Sequence, residues 1–160
     1  MYQCRPVLAE DYSFICSFPQ NAEELFYMFP TAVYPLTVDQ IEGNSNSRLK
    51  PTVILNHSGQ VTGYSNLYNY EEAERCWLGN VILSPGYRGT GLAEALINNM
   101  IAIARNELVV KTLHLCCHST NTRGLLFYSK LGFKPYDLTK ITGKQGELIA
   151  GILMRISLND

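Results

Sequence analysis

The sequence predicts an α/β (α+β) fold, a mixed sheet with helices on both faces. Three observations predict it. β-rich runs occupy residues 51–56, 60–68 and 75–84, and apolar strand-like runs return at 112–117, 133–138 and 148–158. Between them the period becomes helical over residues 91–106, where Leu92, Leu96, Met100 and Ile103 form one apolar stripe with Ala93, Ile97 and Ala104 beside it. The two patterns meet in Val81-Ile82-Leu83-Ser84-Pro85-Gly86-Tyr87-Arg88-Gly89-Thr90-Gly91-Leu92-Ala93, an apolar run stopped at Pro85, a glycine-punctuated turn and a helix start. Such a junction aims several backbone N–H groups and the positive end of a helix dipole at one point, which suits a phosphate.

Residues 2–8 read as a first strand and 9–18 as a helical stretch. Residues 21–29 form a second helical segment, with Asn21 as its cap, Glu23 and Glu24 in its first turn, and Pro30 ending it. Thr37-Val38-Asp39-Gln40 is a capping-box start for a short helix that runs to about Asn46. His57-Ser58-Gly59 joins the first two central strands as a hairpin, and the charged residues 71–74 lead into the third. After the long helix and the strand at 112–117, residues 121–131 form a short helix ended by Gly132. The run Leu148-Ile149-Ala150-Gly151-Ile152-Leu153-Met154 is apolar enough to lie inside the sheet. No repeat, low-complexity tract or linker interrupts the 160 residues, so one domain over 1–160 is expected.

A hydrophobic fraction of 46% with 17% charged residues is that of a globular chain, not a disordered one. The formal net charge of -1 argues against a general nucleic-acid binder, which needs a basic surface to displace counterions. No apolar run reaches the length that spans a bilayer, and Met1-Tyr2-Gln3-Cys4-Arg5-Pro6 lacks a signal-peptide core. Cys4, Cys16, Cys76, Cys116 and Cys117 are odd in number and lack zinc-knuckle spacing. They are expected to be reduced, in a cytoplasmic protein. Neither they nor His57, His114 and His118 form a metal motif, so no metal is expected.

Two segments carry a family resemblance. Arg88-Gly89-Thr90-Gly91-Leu92-Ala93 resembles the (Gln/Arg)-x-x-Gly-x-(Gly/Ala) signature of the GNAT N-acetyltransferases. Asn121-Thr122-Arg123-Gly124-Leu125-Leu126-Phe127-Tyr128-Ser129-Lys130-Leu131-Gly132-Phe133 is similar to the same family's Asn-x-x-Ala-x-x-x-Tyr-x-x-x-Gly-Phe segment, with Gly124 in place of the usual alanine. One helix and one strand separate them, as in the family. Residues 1–70 match only in the order of elements.

The resemblance implies a mostly antiparallel sheet of about seven strands, splayed between its two central strands, and acetyl-CoA as co-substrate. It implies a turn, Arg88, Gly89, Thr90, Gly91, Leu92 and Ala93, that surrounds a pyrophosphate. Val81, Ile82 and Leu83 would offer backbone groups to the pantetheine arm, and Asn121 would cap its helix and touch the same arm. Tyr128 would protonate the departing thiolate. The general base is left open among Glu74, His118 and water, because Trp77 and Cys116 stand where a strand glutamate would be sought.

The expected acceptor is a small-molecule amine or a peptide N-terminus. It would be framed by Phe26, Tyr27, Phe29 and Tyr34 on one side and Tyr64, Tyr68 and Tyr70 on the other, with Glu71, Glu72 and Glu74 attracting the amine. A homodimer is plausible on the family's habit alone. Two other readings compete: an acyltransferase using another acyl-CoA, and a non-catalytic acyl-CoA sensor, which would have no use for Tyr128. A Rossmann-type dinucleotide site fits poorly, since the glycine spacing differs and Lys111 stands where an acidic residue is needed.

Overall fold

The structure, a computed structural model, describes residues 2–159. Seven strands of the described residues form one sheet: β1 (Gln3–Pro6), β2 (Leu49–Leu55), β3 (Val61–Glu71), β4 (Arg75–Leu83), β5 (Thr112–His118), β6 (Lys134–Thr142) and β7 (Leu148–Ser157). Their order across the sheet is β1-β2-β3-β4-β5-β7-β6. Every neighbouring pair is antiparallel except β4 with β5. Among the described residues five α-helices accompany it: α1 (Tyr12–Cys16), α2 (Ala22–Met28), α3 (Val38–Asn46), α4 (Leu92–Asn106) and α5 (Thr122–Lys130).

The period-2 alternation of the strands splits the core in two. Val53 and Leu55 of β2 face one side and pack with Ile15, Leu25 and Ile41 of α1–α3. Ile54 faces the other side, with Leu96, Ile97 and Met100 of α4. The expected stripe on α4 shifts slightly: Ile101 is buried with it, while Ile103 is only half-buried.

Several boundaries move. Residues 9–18 are not one helix: a 3-10 turn (Ala9–Asp11) precedes α1. The buried Asp11 carboxylate there binds Arg5 at 2.7 Å and the Leu8 N–H. Thr37 caps α3, but Gln40 does not complete the box. Its amide instead bonds the Val33 N–H and the Val33 and Pro35 carbonyls, tying the preceding loop to the helix. β6 runs on to Thr142, since at the sheet edge it needs no buried side chains to stay paired. β7 lies between β5 and β6, inside the sheet.

Two irregularities shape the centre of the sheet. β4 pairs with β5 only through Arg75–Thr112, Cys76–Leu113 and Trp77–His114, and beyond those residues the ladder ends. On the other side of β4, Tyr64 faces Ile82 but Asn66 faces Gly79, so β4 carries one extra residue. The bulge reverses the alternation: Cys76 and Leu78 face α4, but after it Leu83 does so and Ile82 turns to α1–α3. Asn80 holds the bulge with φ +53°. Its side chain accepts from Asn66 Nδ2 at 2.9 Å and donates to the Met28 carbonyl, at the end of α2, at 2.7 Å.

Candidate active site

Where β4 and β5 part, a cleft of about 910 Å³ opens, floored by Leu78–Leu83 and Leu115–His118. α2 covers one side through Glu23, Glu24, Tyr27 and Met28, and α5 forms the other through Gly124, Phe127 and Tyr128.

One end of the cleft is the glycine turn. Gly89 and Gly91 have φ of +78° and +87°, a conformation that costs other residues about 1–2 kcal/mol. A Cβ at either would meet no protein atom within 4 Å, so both glycines face open space. Gly91 is the N-cap of α4, and no side chain caps that helix. Its first N–H groups therefore have no side-chain acceptor, and the helix dipole adds positive potential there. Gly89 and Ala93 line the cleft, whereas Leu92 sends its side chain into the core and has only its backbone at the turn. Thr90 ties the turn by donating from Oγ1 to the Tyr87 carbonyl.

Arg88 takes a role that its motif does not imply. Its guanidinium makes a two-pronged pair with Glu24, at 3.0 and 2.8 Å, and also donates to the Leu83 carbonyl at 3.3 Å. It thus ties α2 to the end of β4. The Arg88 bond holds the Glu24 carboxyl below the usual glutamate value, with the Gln20 N–H adding to the effect against the cost of burial.

Asn121 caps α5, its Oδ1 accepting from the Gly124 N–H at 3.0 Å. Gly124 is more than a small replacement for alanine. A Cβ there would stand 2.6 Å from Asn121 Nδ2 and 3.1 Å from Cys117 Sγ, so the glycine makes room for the capping amide. Tyr128 lies two turns further along α5, half-buried, its ring edge-on to Phe127 at 5.3 Å and Phe133 at 5.8 Å. Burial pushes its hydroxyl well above the ordinary phenol range, and the nearby Cys117 thiol adds to this.

His118, at the end of β5, is 5% exposed and packs against the rings of Phe26 and Tyr27 at 4.7 and 5.6 Å. Its Nδ1 is buried without a hydrogen-bond partner, and burial lowers its pKa. Glu74 is at the opposite end of β4, exposed and paired with Lys111 at 3.2 Å, outside the cleft. Glu71 is likewise engaged there, by Arg75 at 3.0 Å.

The expected aromatic wall divides. Tyr64 and Phe29 are core residues, Tyr34 and Tyr70 are exposed, and Tyr27 and Tyr68 line the cleft. The acidic residues at the cleft are Glu23 and Glu24, whose place in the sequence marks them only as first-turn helix residues. Arg48 also lines it, although nothing in its local sequence marks it. All five cysteines are free thiols.

Two parted parallel strands with an open, uncapped helix N-terminus between them suit a long cofactor that ends in phosphates. A profile of the Acetyltransferase (GNAT) family matches residues 10–133, and the chain belongs to that family. An uncharacterized N-acetyltransferase of Mycobacterium tuberculosis is 35% identical over 78 residues, 49% of each chain. The chain thus spans about half the length of the curated relatives it matches. The fold superposes on a Vibrio cholerae spermidine N-acetyltransferase solved with CoA and spermine, at TM-score 0.81 and 18% identity, covering 98% of this chain and 95% of that one. It also superposes on a Salmonella typhimurium protein solved with acetyl-CoA, at TM-score 0.75 and 19% identity, covering 100% and 95%. Among the described residues no helix is long and apolar enough to cross a membrane.

Proposed function

We propose that this chain transfers the acetyl group of acetyl-CoA directly to a primary amine, of a small molecule or a peptide N-terminus. The observation that carries this reading is the cleft between β4 and β5, with the open turn at one end and His118 and Tyr128 beside the parted strands. The residues fit the co-substrate. N–H groups of the turn from Arg88 to Ala93 would hold its pyrophosphate, and Gly89 and Gly91 leave the space it needs. The backbone of Val81, Ile82 and Leu83 would run beside its pantetheine arm, where no β5 ladder competes. Asn121 has Nδ2 left for the same arm, since Oδ1 serves the cap.

Acetyl-CoA supplies the acetyl group as an activated thioester. The amine nitrogen bonds to the carbonyl carbon as the carbon–sulfur bond breaks, one amine proton leaves, and the sulfur gains one. Tyr128 keeps its proton across the physiological range, so it can give it to the sulfur. His118 is neutral there and can take the amine proton, directly or through a water. Free thiols at all five cysteines fit a reducing, cytoplasmic setting.

Calorimetric titration with acetyl-CoA, beside free CoA and a Gly91→Trp variant, tests this. Micromolar binding to the wild type is expected. Loss of at least about 100-fold in affinity is expected for the variant, whose indole would fill the open turn. A wild type that binds neither ligand overturns the reading.

A further inference from the structure

Arg48 follows the C-terminus of α3 and enters the cleft beside Gly79, just where β4 and β5 have parted. The glycine turn lies beyond Leu83, further along the same strand, so Arg48 belongs to the end left for the acceptor. Three features hold the guanidinium there. It stacks over the Tyr68 ring with Cζ 4.0 Å from the centroid. Nη1 donates to Asn66 Oδ1 at 3.3 Å. A Cβ on Gly79 would stand 2.5 Å from Nη1, so only glycine lets the guanidinium lie against the β4 backbone.

This cation is half-buried, yet no carboxylate pairs with it among the described residues. Of the acidic side chains at the cleft, Glu24 is taken by Arg88 and Glu23 stands exposed on α2. The titratable groups facing Arg48 itself are the phenols of Tyr64 and Tyr68, both kept protonated and neutral mainly by burial. Asn66 satisfies one donor of a guanidinium that has five. A partly desolvated charge with donors to spare is unfavourable unless a ligand completes it, and the planar fork matches an oxyanion.

We infer that Arg48 is the anion-recognising residue of the acceptor site, and that the acceptor is a small primary amine bearing a carboxylate or a phosphate. This rests on the acetyltransferase reading above. A polyamine would bring like charge against Arg48, while an amine carrying an oxyanion brings the missing partner. The anion on Arg48 would leave the amine free to reach the reacting carbonyl near His118.

Paired acceptors test it, with thiol release followed in the presence of saturating acetyl-CoA. The panel sets the proteinogenic α-amino acids against their decarboxylated amines, glucosamine 6-phosphate against glucosamine, and spermidine beside both. The expected result is a kcat/KM preference of at least about 30-fold for the oxyanion member of one pair, and the pair that shows it tells carboxylate from phosphate. In Arg48→Gln that preference should collapse by roughly 30- to 1,000-fold, chiefly through KM, with acetyl-CoA affinity retained by calorimetry. Should Arg48→Gln fail to melt cooperatively, Arg48→Lys carries the test, keeping the charge, losing the fork and lowering the preference about 5- to 50-fold.

A wild type that binds acetyl-CoA but favours spermidine or the member lacking the oxyanion in every pair overturns this inference and leaves the transferase reading standing. So does a preference that survives both substitutions. A wild type that does not bind acetyl-CoA removes both readings together.

Discussion

Tyr128 and Arg88 show how far a side chain's role depends on what surrounds it. A phenol lying edge-on between Phe127 and Phe133 would be ordinary packing, did Tyr128 not line a cleft. Burial raises its pKa, so the proton stays until a strong acceptor such as a departing thiolate arrives. Tyr128→Phe keeps the ring and removes that proton. It should lower kcat roughly 10- to 1,000-fold with acetyl-CoA affinity nearly unchanged. Steady-state kinetics beside calorimetry decides, and a variant that loses affinity as much as kcat would make Tyr128 a binding residue instead. Arg88 shows the reverse. Its place in the motif pointed to the phosphates, but its guanidinium is spent on Glu24, 64 residues earlier. No local pattern could show that pairing, because it exists only once α2 has docked on β4.

At the scale of elements, what was local in the chain was legible. Asn21 and Asn121 cap α2 and α5 as their positions imply, and the hairpin at residues 57–59 closes with Gly59 at φ +81°. The strand order was not legible, since pairing between β5 and β7 joins residues 33 to 45 apart in sequence; the family resemblance implied only the number of strands, their mostly antiparallel pairing and the central splay. The bulge in β4 was illegible, because Asn80 interrupts an apolar run no more than any single polar residue would. Yet it is the bulge that swaps the facing of Ile82 and Leu83 beside the cleft. Asn80 is 7% exposed, adopts a left-handed conformation and bonds both Asn66 and the end of α2. Asn80→Ala removes two buried hydrogen bonds and forces alanine to a positive φ, which together should cost about 3 kcal/mol. Asn80→Gly relieves the backbone strain and should cost about 1 kcal/mol less. Urea unfolding of the two variants measures both; equal midpoints would show that the backbone conformation does not matter here.

At the scale of the whole molecule, the sheet carries two buried histidines on β5, and its stability should depend on pH because of them. His114 is 2% exposed, held between Tyr136 Oη at 2.8 Å and Thr112 Oγ1 at 2.9 Å, and His118 is 5% exposed beside the cleft. Burial lowers the pKa of both; around His114 the cations Arg75 and Arg155 lower it further, against an opposite pull from Glu71. In the unfolded chain both titrate near the ordinary histidine value of about 6.5. As pH falls through that value, the unfolded state takes up protons that the folded state refuses, so folding loses free energy. The stability is complete above about pH 6.5 and declines below it until the lowered folded pKa is reached, by at most about 1.4 kcal/mol per pH unit for each histidine. The carboxylates act in a separate, more acidic window. Glu24 is held low chiefly by Arg88; Asp11, despite its burial, is held low by Arg5 and the Leu8 N–H. Their contribution is lost only as pH falls below about 4. Urea midpoints measured from pH 5 to 8 should therefore fall below about pH 6.5, and His118→Asn should remove part of that slope. A midpoint flat from pH 7.5 to 5 would mean that the folded histidines take up protons as freely as the unfolded ones. His118 would then be neutral only above the ordinary histidine value of about 6.5, and kcat/KM for acetyl transfer should fall below that pH, so one titration bears on both the fold and its chemistry.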